Sequence, residues 1–139
     1  MKVLFDTNVL LDVLLDRTPH VESSARLFAY VESGKIEGVI CATTVTTVHY
    51  LADKTIGPKL AKNAIQDLLS IFIIAPVNRL VLDRAMKMHK MADFEDAVIC
   101  AAAQQVGCDG VLTRNLKDFR KAQIPIYSPE ELAHILKVH

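Results

Sequence analysis

The chain has 139 residues with 16 basic and 16 acidic side chains, so its formal charge is zero at neutral pH. A module that holds nucleic acid mainly through phosphate contacts is usually basic, and this balance argues against one. No apolar run approaches the roughly 18 residues of a membrane helix. Three cysteines cannot all pair, so we expect reduced thiols in a cytoplasmic protein that does not contact a membrane.

The first predicted strand covers residues 3–5 and leads directly into a carboxylate, Asp6. A short apolar run bounded by polar residues is typical of a strand buried on both faces of a parallel sheet. Asn8 then favours the N-cap of a helix over residues 9–14. Asp6 therefore ends a strand, where open α/β sheets bind their ligands. A second interpretation, that Asp6 only caps the helix, stays open.

Four more apolar runs alternate with helical patterns along the rest of the chain. Thr18 before Pro19, and the threonine pair at 43–44, are start signals for two of the helices. The predicted strands lie at residues 38–42, 71–75, 110–113 and 124–127, the last at a sheet edge because it contains proline. The predicted helices lie at residues 21–31, 45–51, 60–69, 78–91 and 93–105, and from Pro129 onward behind a Ser128 cap.

Strands separated by helices indicate a parallel sheet with helices packed on both faces. The chain contains no repeat, low-complexity segment or linker, so we predict that residues 1–139 form a single α/β domain. In such a sheet the carboxyl ends of the strands share one edge. That edge is where a ligand crevice is expected.

Acidic residues gather at these expected strand ends. Asp6 follows the first strand, Asp93, Glu95 and Asp96 crowd the first turn of a helix, and Asp118 lies in the turn after the fourth strand. Carboxylates that meet in one crevice repel one another unless a cation neutralises them. Mg²⁺ or Mn²⁺ suits an all-oxygen site and can activate water. The pattern therefore predicts metal-assisted phosphodiester hydrolysis.

Each of the later acids also has a purely structural interpretation. Asp93 begins a helix and suits its N-cap, and Asp96 completes a variant of the capping box. Glu95 is rotated by about 100° from Asp96 on a helix, so the two should not share one face. Asp118 is also an ordinary turn residue. The combination of acids, and no single one of them, carries the prediction.

Three segments resemble the motifs of the PIN-domain family and occur in that family's order. Residues 5–11 resemble its opening motif, and residues 96–103 resemble its Asp-Ala-x-Ile-x-Ala helix. Residues 111–119 are similar to its Thr-Arg-Asn-x-x-Asp-Phe turn, so the resemblance covers essentially the whole chain. It implies a three-layer α/β/α sandwich with a five-stranded parallel sheet. It also implies Mg²⁺- or Mn²⁺-dependent cleavage of single-stranded RNA.

The resemblance implies roles for individual acids. Asp6, Asp96 and Asp118 match the catalytic, metal-binding acids of the family. Glu95 is a candidate fourth metal ligand, with Asp93 behind it. The predicted metal ligands are therefore Asp6, Asp96, Asp118 and Glu95, and Asp93 is expected to support them without binding the metal.

Small polar residues beside these acids match the family as well. Thr7 and Asn8 adjoin the first acid, where Asn8 would orient that acid or a metal-bound water. Thr113 and Asn115 would hold metal-site water or substrate phosphate, or serve only the turn that contains them. Arg114 is either a phosphate contact or a solvated surface side chain.

The chain departs from the family's pattern in one place. The family usually has a glutamate in the helix after the second strand, and residues 43–51 contain none. His49 or a threonine near it occupies the matching position. A histidine there would bind a metal, act on a proton, or be merely structural. Glu95 is a candidate replacement for the missing carboxylate.

The leading hypothesis is a metal-dependent (endo)ribonuclease. Many family members of this size are toxins that a small antitoxin protein inhibits, and many form homodimers. The alternative hypothesis is a weakly active or inactive PIN-like scaffold that binds RNA or a protein partner. A metal-dependent phosphatase of another α/β family is a weaker third interpretation, because Asp6 is followed two residues on by Asn8 instead of a second aspartate.

Overall fold

The computed structural model describes residues 1–91 and 93–138. The strands in this part of the chain are β1 (Lys2–Phe5), β2 (Glu37–Cys41), β3 (Ile73–Ala75), β4 (Gly110–Leu112) and β5 (Ile126–Tyr127). The helices are α1 (Thr7–Leu14), α2 (Val21–Glu32), α3 (Ala42–Ile56), α4 (Pro58–Ile71), α5 (Arg79–Met86), α6 (Phe94–Gln105) and α7 (Pro129–Val138). None of these helices is long and apolar enough to cross a membrane.

All neighbouring strands pair in parallel, in the order β3-β2-β1-β4-β5. The chain proceeds outward from β1 to β3 and then crosses to β4 and β5 on the other side. The direction of winding therefore reverses between β1 and β4. Side chains that follow these two strands meet at the switch point where open α/β sheets place their ligands.

Helices cover both faces of the sheet. Side chains alternate along β1, so Val3 and Phe5 pack against α1, α2, α3, α4 and α7, whereas Leu4 packs against α5 and α6. The three cysteines are free thiols, and two of them are fully buried. The predicted fold, a five-stranded parallel sheet in a three-layer α/β/α sandwich, is confirmed.

Three phenylalanine rings hold the end of β1 in place. Phe5 packs edge-to-face against Phe28 of α2 and against Phe72, with ring centroids 5.9 and 5.0 Å apart. Phe28 and Phe72 make the same kind of contact at 5.3 Å. Such aromatic pairs add about 0.5–1.5 kcal/mol each beyond the burial of their area. Because Phe5 directly precedes Asp6, the cluster fixes the backbone from which the first acid projects.

Two glycines flank Val3 in the sheet, Gly38 on β2 and Gly110 on β4. A Cβ atom at Gly38 would lie 2.6 Å from the ring of Phe72, and one at Gly110 would lie 2.6 Å from the ring of Tyr127. An aromatic ring therefore rests directly on the backbone at each position. Neither position has room for a side chain.

Three helices begin earlier than predicted: α4 begins at Pro58 instead of 60, and the other two begin almost directly after a strand. α1 begins at Thr7 with Asp6 as its N-cap, so the prediction of Asn8 as the cap was wrong. α3 begins at Ala42, ahead of the threonine pair at 43–44, and follows β2 without a loop. Both helices start almost directly from a strand, which hydrophobic periodicity does not reveal.

Other boundaries differ by a few residues. The pair at 18–19 does not cap α2, which begins at Val21 without a side-chain cap. β3 begins at Ile73 because α4 continues through Ile71. α5 ends at Met86 instead of 91.

The carboxyl-terminal signals were predicted correctly. β5 is an edge strand of the sheet, although it begins at Ile126 instead of 124. The Ser128 hydroxyl accepts a hydrogen bond of 3.1 Å from the Glu131 backbone N–H. The Glu131 carboxylate in turn accepts one of 3.3 Å from the Ser128 N–H, which completes a capping box with Pro129 at the first helical position.

Candidate active site

The crevice beyond the ends of β1 and β4 contains Asp6, which is buried, with 5% of its surface exposed. Its Oδ1 accepts a hydrogen bond of 2.8 Å from the Thr7 backbone N–H and thereby caps α1. Its Oδ2 accepts one of 2.8 Å from the Thr113 hydroxyl. The two interpretations of Asp6 are therefore compatible, because one side chain both caps the helix and lines the crevice.

Asn8 and Thr113 link α1 to the segment that follows β4. The Asn8 Nδ2 lies 3.4 Å from both Asp6 Oδ2 and Thr113 Oγ1, and its Oδ1 accepts a bond of 3.2 Å from the Arg114 backbone N–H. The buried Thr113 hydroxyl also accepts a bond of 3.0 Å from the Asn115 N–H. These contacts hold the Asp6 carboxylate in one orientation.

The first turn of α6 brings further acids to the crevice. Asp93 is the N-cap of this helix and accepts a bond of 3.0 Å from the Asp96 N–H, but it is exposed and does not line the cavity. Glu95 and Asp96 both line it. Although the two positions are about 100° apart on α6, both side chains reach the cavity.

Asp118 lies outside this inner group. It is exposed in the turn after β4, where its backbone N–H donates a bond of 3.1 Å to the Asn115 carbonyl. Its charge still raises the pKa of both Asp6 and Asp96. Asp118 therefore does not line the cavity but acts on both acids through its charge, and it raises the pKa of Asp96 more than Glu95 does.

The cavity at this crevice has a volume of about 250 Å³. Its walls come from the helices α1, α3 and α6 and from the segments after β1, α1 and β4. The residues that line it are Asp6, Thr7, Asn8, Leu11, Arg17, Thr47, Glu95, Asp96, Ile99 and Asn115.

α3 contributes Thr47 to this cavity. His49 is exposed and is not part of the lining, because positions two apart on a helix differ by about 200°. Thr47 is thus the residue of α3 that best matches the family's missing glutamate. The geometry gives no support to a role for His49, and a hydroxyl stands where the family usually has a carboxylate.

Burial and mutual repulsion raise the pKa of two of these acids. Burial raises the pKa of Asp6 above its ordinary value, and the charges of Glu95 and Asp118 raise it further, against two hydrogen bonds that lower it. The pKa of Asp96 is raised to about 7, first by burial and then by the charges of four neighbouring carboxylates. Both shifts make the charged form of these carboxylates less favourable, first through burial and then through mutual repulsion.

A second buried carboxylate on α1, Asp12, is not among the predicted site residues. It is fully buried and accepts hydrogen bonds from the Arg114 guanidinium, one from Nε and one of 3.2 Å from Nη2. Arg17, which also lines the cavity, places Nη1 at 3.9 Å from Asp12 Oδ1. The Arg114 guanidinium ties the turn after β4 to α1, so the expectation of a merely solvated side chain was wrong. Its role as a phosphate contact stays a prediction, because 27% of the side chain is exposed.

The donor set of the crevice fits a hard divalent cation. The carboxylates of Asp6, Glu95 and Asp96 are joined by the side-chain oxygens of Asn8 and Thr47, and such oxygen-rich sites suit Mg²⁺ or Mn²⁺. Among the residues that the structure describes, no three His, Cys, Asp or Glu side chains are grouped closely enough to hold an ion as they stand. A cation bound in the crevice would offset the charge of the three carboxylates, and the side chains would have to close around it.

Two sequence comparisons agree with this geometry. Residues 2–117 match the family model described as PIN domain. The protein called Ribonuclease VapC1, from Aquifex aeolicus (strain VF5), is 26% identical over 134 residues, which cover 94% of this chain and 92% of that protein.

Solved structures share the fold. One is a toxin-antitoxin complex from Klebsiella pneumoniae, with a TM-score of 0.70 and 27% identity over 91% of this chain and 97% of that chain. Another is FitAcB from Neisseria gonorrhoeae, with a TM-score of 0.71 and 22% identity over 92% of this chain and 98% of that chain. The family match extends from β1 through most of the turn after β4, so it spans every segment that lines the crevice. The chain therefore belongs to the PIN domain family.

Proposed function

We propose that this protein is a ribonuclease that hydrolyses RNA phosphodiester bonds with Mg²⁺ or Mn²⁺. The observation that carries the proposal is the buried Asp6 carboxylate at the β1–β4 switch point, held by Thr7 and Thr113 and surrounded by further acids. The name of the Aquifex aeolicus relative supports the same activity. PIN ribonucleases generally use a divalent metal.

In this proposal Asp6, Asp96 and Asp118 are the catalytic acids, and Glu95 is an additional metal ligand. Asp6, Glu95 and Asp96 line the cavity, while Asp118 lies outside the lining and raises the pKa of Asp6 through its charge. A divalent cation bound there supplies a Lewis acid for the phosphoryl oxygen and lowers the pKa of a bound water. The four acids would hold that ion, and the rest of the cavity would take the substrate phosphate.

The polar neighbours have positioning roles. Thr113 and Asn8 keep Asp6 turned toward the cavity, and the Thr7 N–H fixes its other oxygen. Asn115 lines the cavity and offers an amide to the substrate phosphate. Asp93 acts indirectly, because it caps α6 and so holds the first turn of the helix, which carries Asp96.

The test is cleavage of a mixed single-stranded RNA pool with Mn²⁺, with Mg²⁺ and with a chelator. We expect metal-dependent cutting by the wild type and a loss of about 100-fold or more in Asp6→Asn. Asp67→Asn is the matched control, because Asp67 is exposed on α4 and lies outside the crevice. Equal cutting by the wild type and Asp6→Asn would contradict the proposal.

We propose that this ribonuclease is the toxin of a toxin–antitoxin pair. The Klebsiella pneumoniae structure that shares the fold is a toxin-antitoxin complex, which supports a small protein inhibitor as the partner. Expression of the wild type should arrest growth, and expression of Asp6→Asn should not. If both proteins arrested growth, the toxicity would not depend on the Asp6 carboxylate.

We also propose a homodimer. Leu82 and Met86 lie four residues apart on α5, so they share one face of the helix, and they are 40% and 65% exposed. Apolar side chains this exposed on one face support a subunit contact. Sedimentation should give a dimer for the wild type and a monomer for Met86→Glu, and a monomeric wild type would overturn this assignment.

Thr47 favours a second candidate function, a binding scaffold with little activity. A threonine hydroxyl stands where the family usually has a carboxylate, so the crevice has less charge with which to hold a metal. A folded protein that binds RNA but cuts it with neither metal would support this candidate. Tight binding of Mn²⁺ together with cleavage would exclude it.

A further inference from the structure

A second cavity, of about 230 Å³, lies between the α5–α6 connection and the turn after β4. Residues 87–91 form one of its walls and residues 121–123 form the other. Three lysines line it, Lys87, Lys90 and Lys121, together with methionine and alanine side chains. We refer to this space as the basic cavity. It shares no lining residue with the acidic crevice.

The neutral total charge of the chain conceals a local imbalance at the basic cavity. Segments 87–91 and 117–123 contain five of the 16 basic residues and one acid, Asp118. The ion pairs found within residues 1–91 and 93–138 all use arginine, so no lysine there is neutralised by a carboxylate. The ammonium groups at this cavity are thus available to an anion, while their stems can cover its apolar wall.

Both walls of the basic cavity continue into the acid-bearing segments. Residues 87–91 lead into α6, whose first turn carries Glu95 and Asp96. Lys121 follows Asp118 by three residues, a length of chain that spans at most about 10 Å. Phe119 between them is fully buried and anchors this turn in the core. An RNA strand held at the crevice can therefore place a neighbouring phosphate near Lys121, which lines the same cavity as Lys87 and Lys90.

We propose that the basic cavity binds a phosphodiester of the RNA strand that flanks the bond to be cut. The proposal rests on the ribonuclease function proposed above and assigns part of its substrate-binding surface to Lys87, Lys90 and Lys121. The concave shape and the apolar wall favour a single nucleotide, with its sugar or base against the methionines and its phosphate against the ammonium groups. Such a site would also explain how a neutral protein holds RNA, since five of its 16 basic residues lie in the two segments that form this cavity or adjoin it.

The experiment is RNA binding by a triple variant, Lys87→Gln with Lys90→Gln and Lys121→Gln. Its control removes three exposed lysines elsewhere, by Lys59→Gln with Lys62→Gln on α4 and Lys137→Gln on α7. Anisotropy of a labelled single-stranded RNA is measured in chelator, at salt concentrations from about 50 to 200 mM. Cleavage with Mn²⁺ is measured in parallel, and thermal unfolding checks that each variant is folded.

We expect the basic-cavity variant to bind RNA at least about tenfold more weakly at the lowest salt. The slope of log affinity against log salt should fall by about 2, because three single-strand phosphate contacts contribute about 0.7 each. In cleavage the loss should appear in KM. The control variant should retain wild-type affinity and slope.

The outcomes separate this proposal from the ribonuclease function. Wild-type affinity in the basic-cavity variant, an equal loss in the control, or no RNA binding by the wild type would each overturn the basic-cavity proposal. A poly-glutamate peptide that binds as tightly as RNA would overturn the assignment to RNA. If the wild type binds RNA without cutting it and only the basic-cavity variant binds weakly, the cavity proposal stands and the ribonuclease proposal fails.

Discussion

Asp6 and Asp12 are associated with opposite ends of the short helix α1, and both carboxylates are buried, but their surroundings differ in charge. Asp12 is in contact with the guanidinium groups of Arg114 and Arg17. Asp6 is held by neutral hydrogen-bond donors and has other acids nearby, and no ion pair in the described part of the chain includes it. Within the described part of the chain, the protein compensates Asp12 with arginine and gives Asp6 no cationic partner.

The difference in charge between the two surroundings distinguishes a carboxylate that stabilises the structure from one that is available for binding. The Asp12–Arg114 pair fixes the turn after β4 from behind, because Arg114 directly follows Thr113. The Asp6 crevice instead keeps unfavourable charge that a bound metal would relieve. Burial alone does not tell a structural acid from a functional one, whereas the charge of its partners does.

The largest effect on stability is expected from Asp12→Asn. Losing one partner of a buried ion pair costs about 3–5 kcal/mol. We expect the lower end, because 27% of the Arg114 side chain is exposed and water can solvate it. Chemical denaturation measures the loss, and Asp6→Asn serves as the matched exchange that stays close to the wild type. Equal losses in the two variants would remove the distinction between these carboxylates.

The next largest effect is the increase in the free energy of unfolding when a cation binds. Mn²⁺ at about 100 times its dissociation constant should raise the free energy of unfolding of the wild type by about 2.7 kcal/mol. Asp6→Asn should show little of this gain, because it removes a ligand and its charge. Thermal melts with Mn²⁺ and with chelator measure it. A full metal-induced shift in Asp6→Asn would place the ion somewhere else.

Thr47→Glu should increase the difference in charge between the Asp6 crevice and the surroundings of Asp12, because it adds a carboxylate to the crevice. We expect the affinity for Mn²⁺ to rise about tenfold, or about 1.4 kcal/mol. His49→Glu is the matched control, because that side chain is exposed outside the cavity. Calorimetric titration compares the two. If only His49→Glu strengthened binding, the assignment of the missing glutamate to Thr47 would be wrong.

The smallest effect is a pH dependence of the metal-free protein. The folded pKa of Asp96, about 7, lies above its ordinary value of 3.8, so the folded state binds a proton more tightly than the unfolded chain. Proton binding by Asp96 therefore adds to the free energy of unfolding. This stabilisation is fully present below pH 3.8 and is lost as the pH rises through about 7.

Asparagine at position 96 cannot deprotonate, so the Asp96→Asn variant does not lose stability as the pH rises. In chelator the variant should be more stable than the wild type at pH 8, and this difference should disappear near pH 4. We expect about 1 kcal/mol or less, because Asp96 is partly exposed and solvent screens its charge. Melting curves across this pH range measure the gap. A gap that widens toward low pH would reverse the sign and contradict the raised pKa.

Local signals were sufficient for the sheet, its parallel pairing and the acid at the end of β1. They did not reveal Asp12, because its partner Arg114 lies 102 residues away in the chain. A signal was present, since a single acid between Leu11 and Val13 on an apolar helix needs a buried partner. The choice between His49 and Thr47 depends on how α3 is rotated against the sheet, which tertiary packing sets.

Gly38, Val3 and Gly110 form one row across the sheet, near the beginning of β1 and away from Asp6. Even alanine at either glycine would meet an aromatic ring at 2.6 Å. In a selection on randomised libraries both codons should therefore resist change as strictly as a catalytic codon does. Scoring such a library by abundance as well as by activity would distinguish this row from the reaction machinery, because its losses would be losses of folded protein.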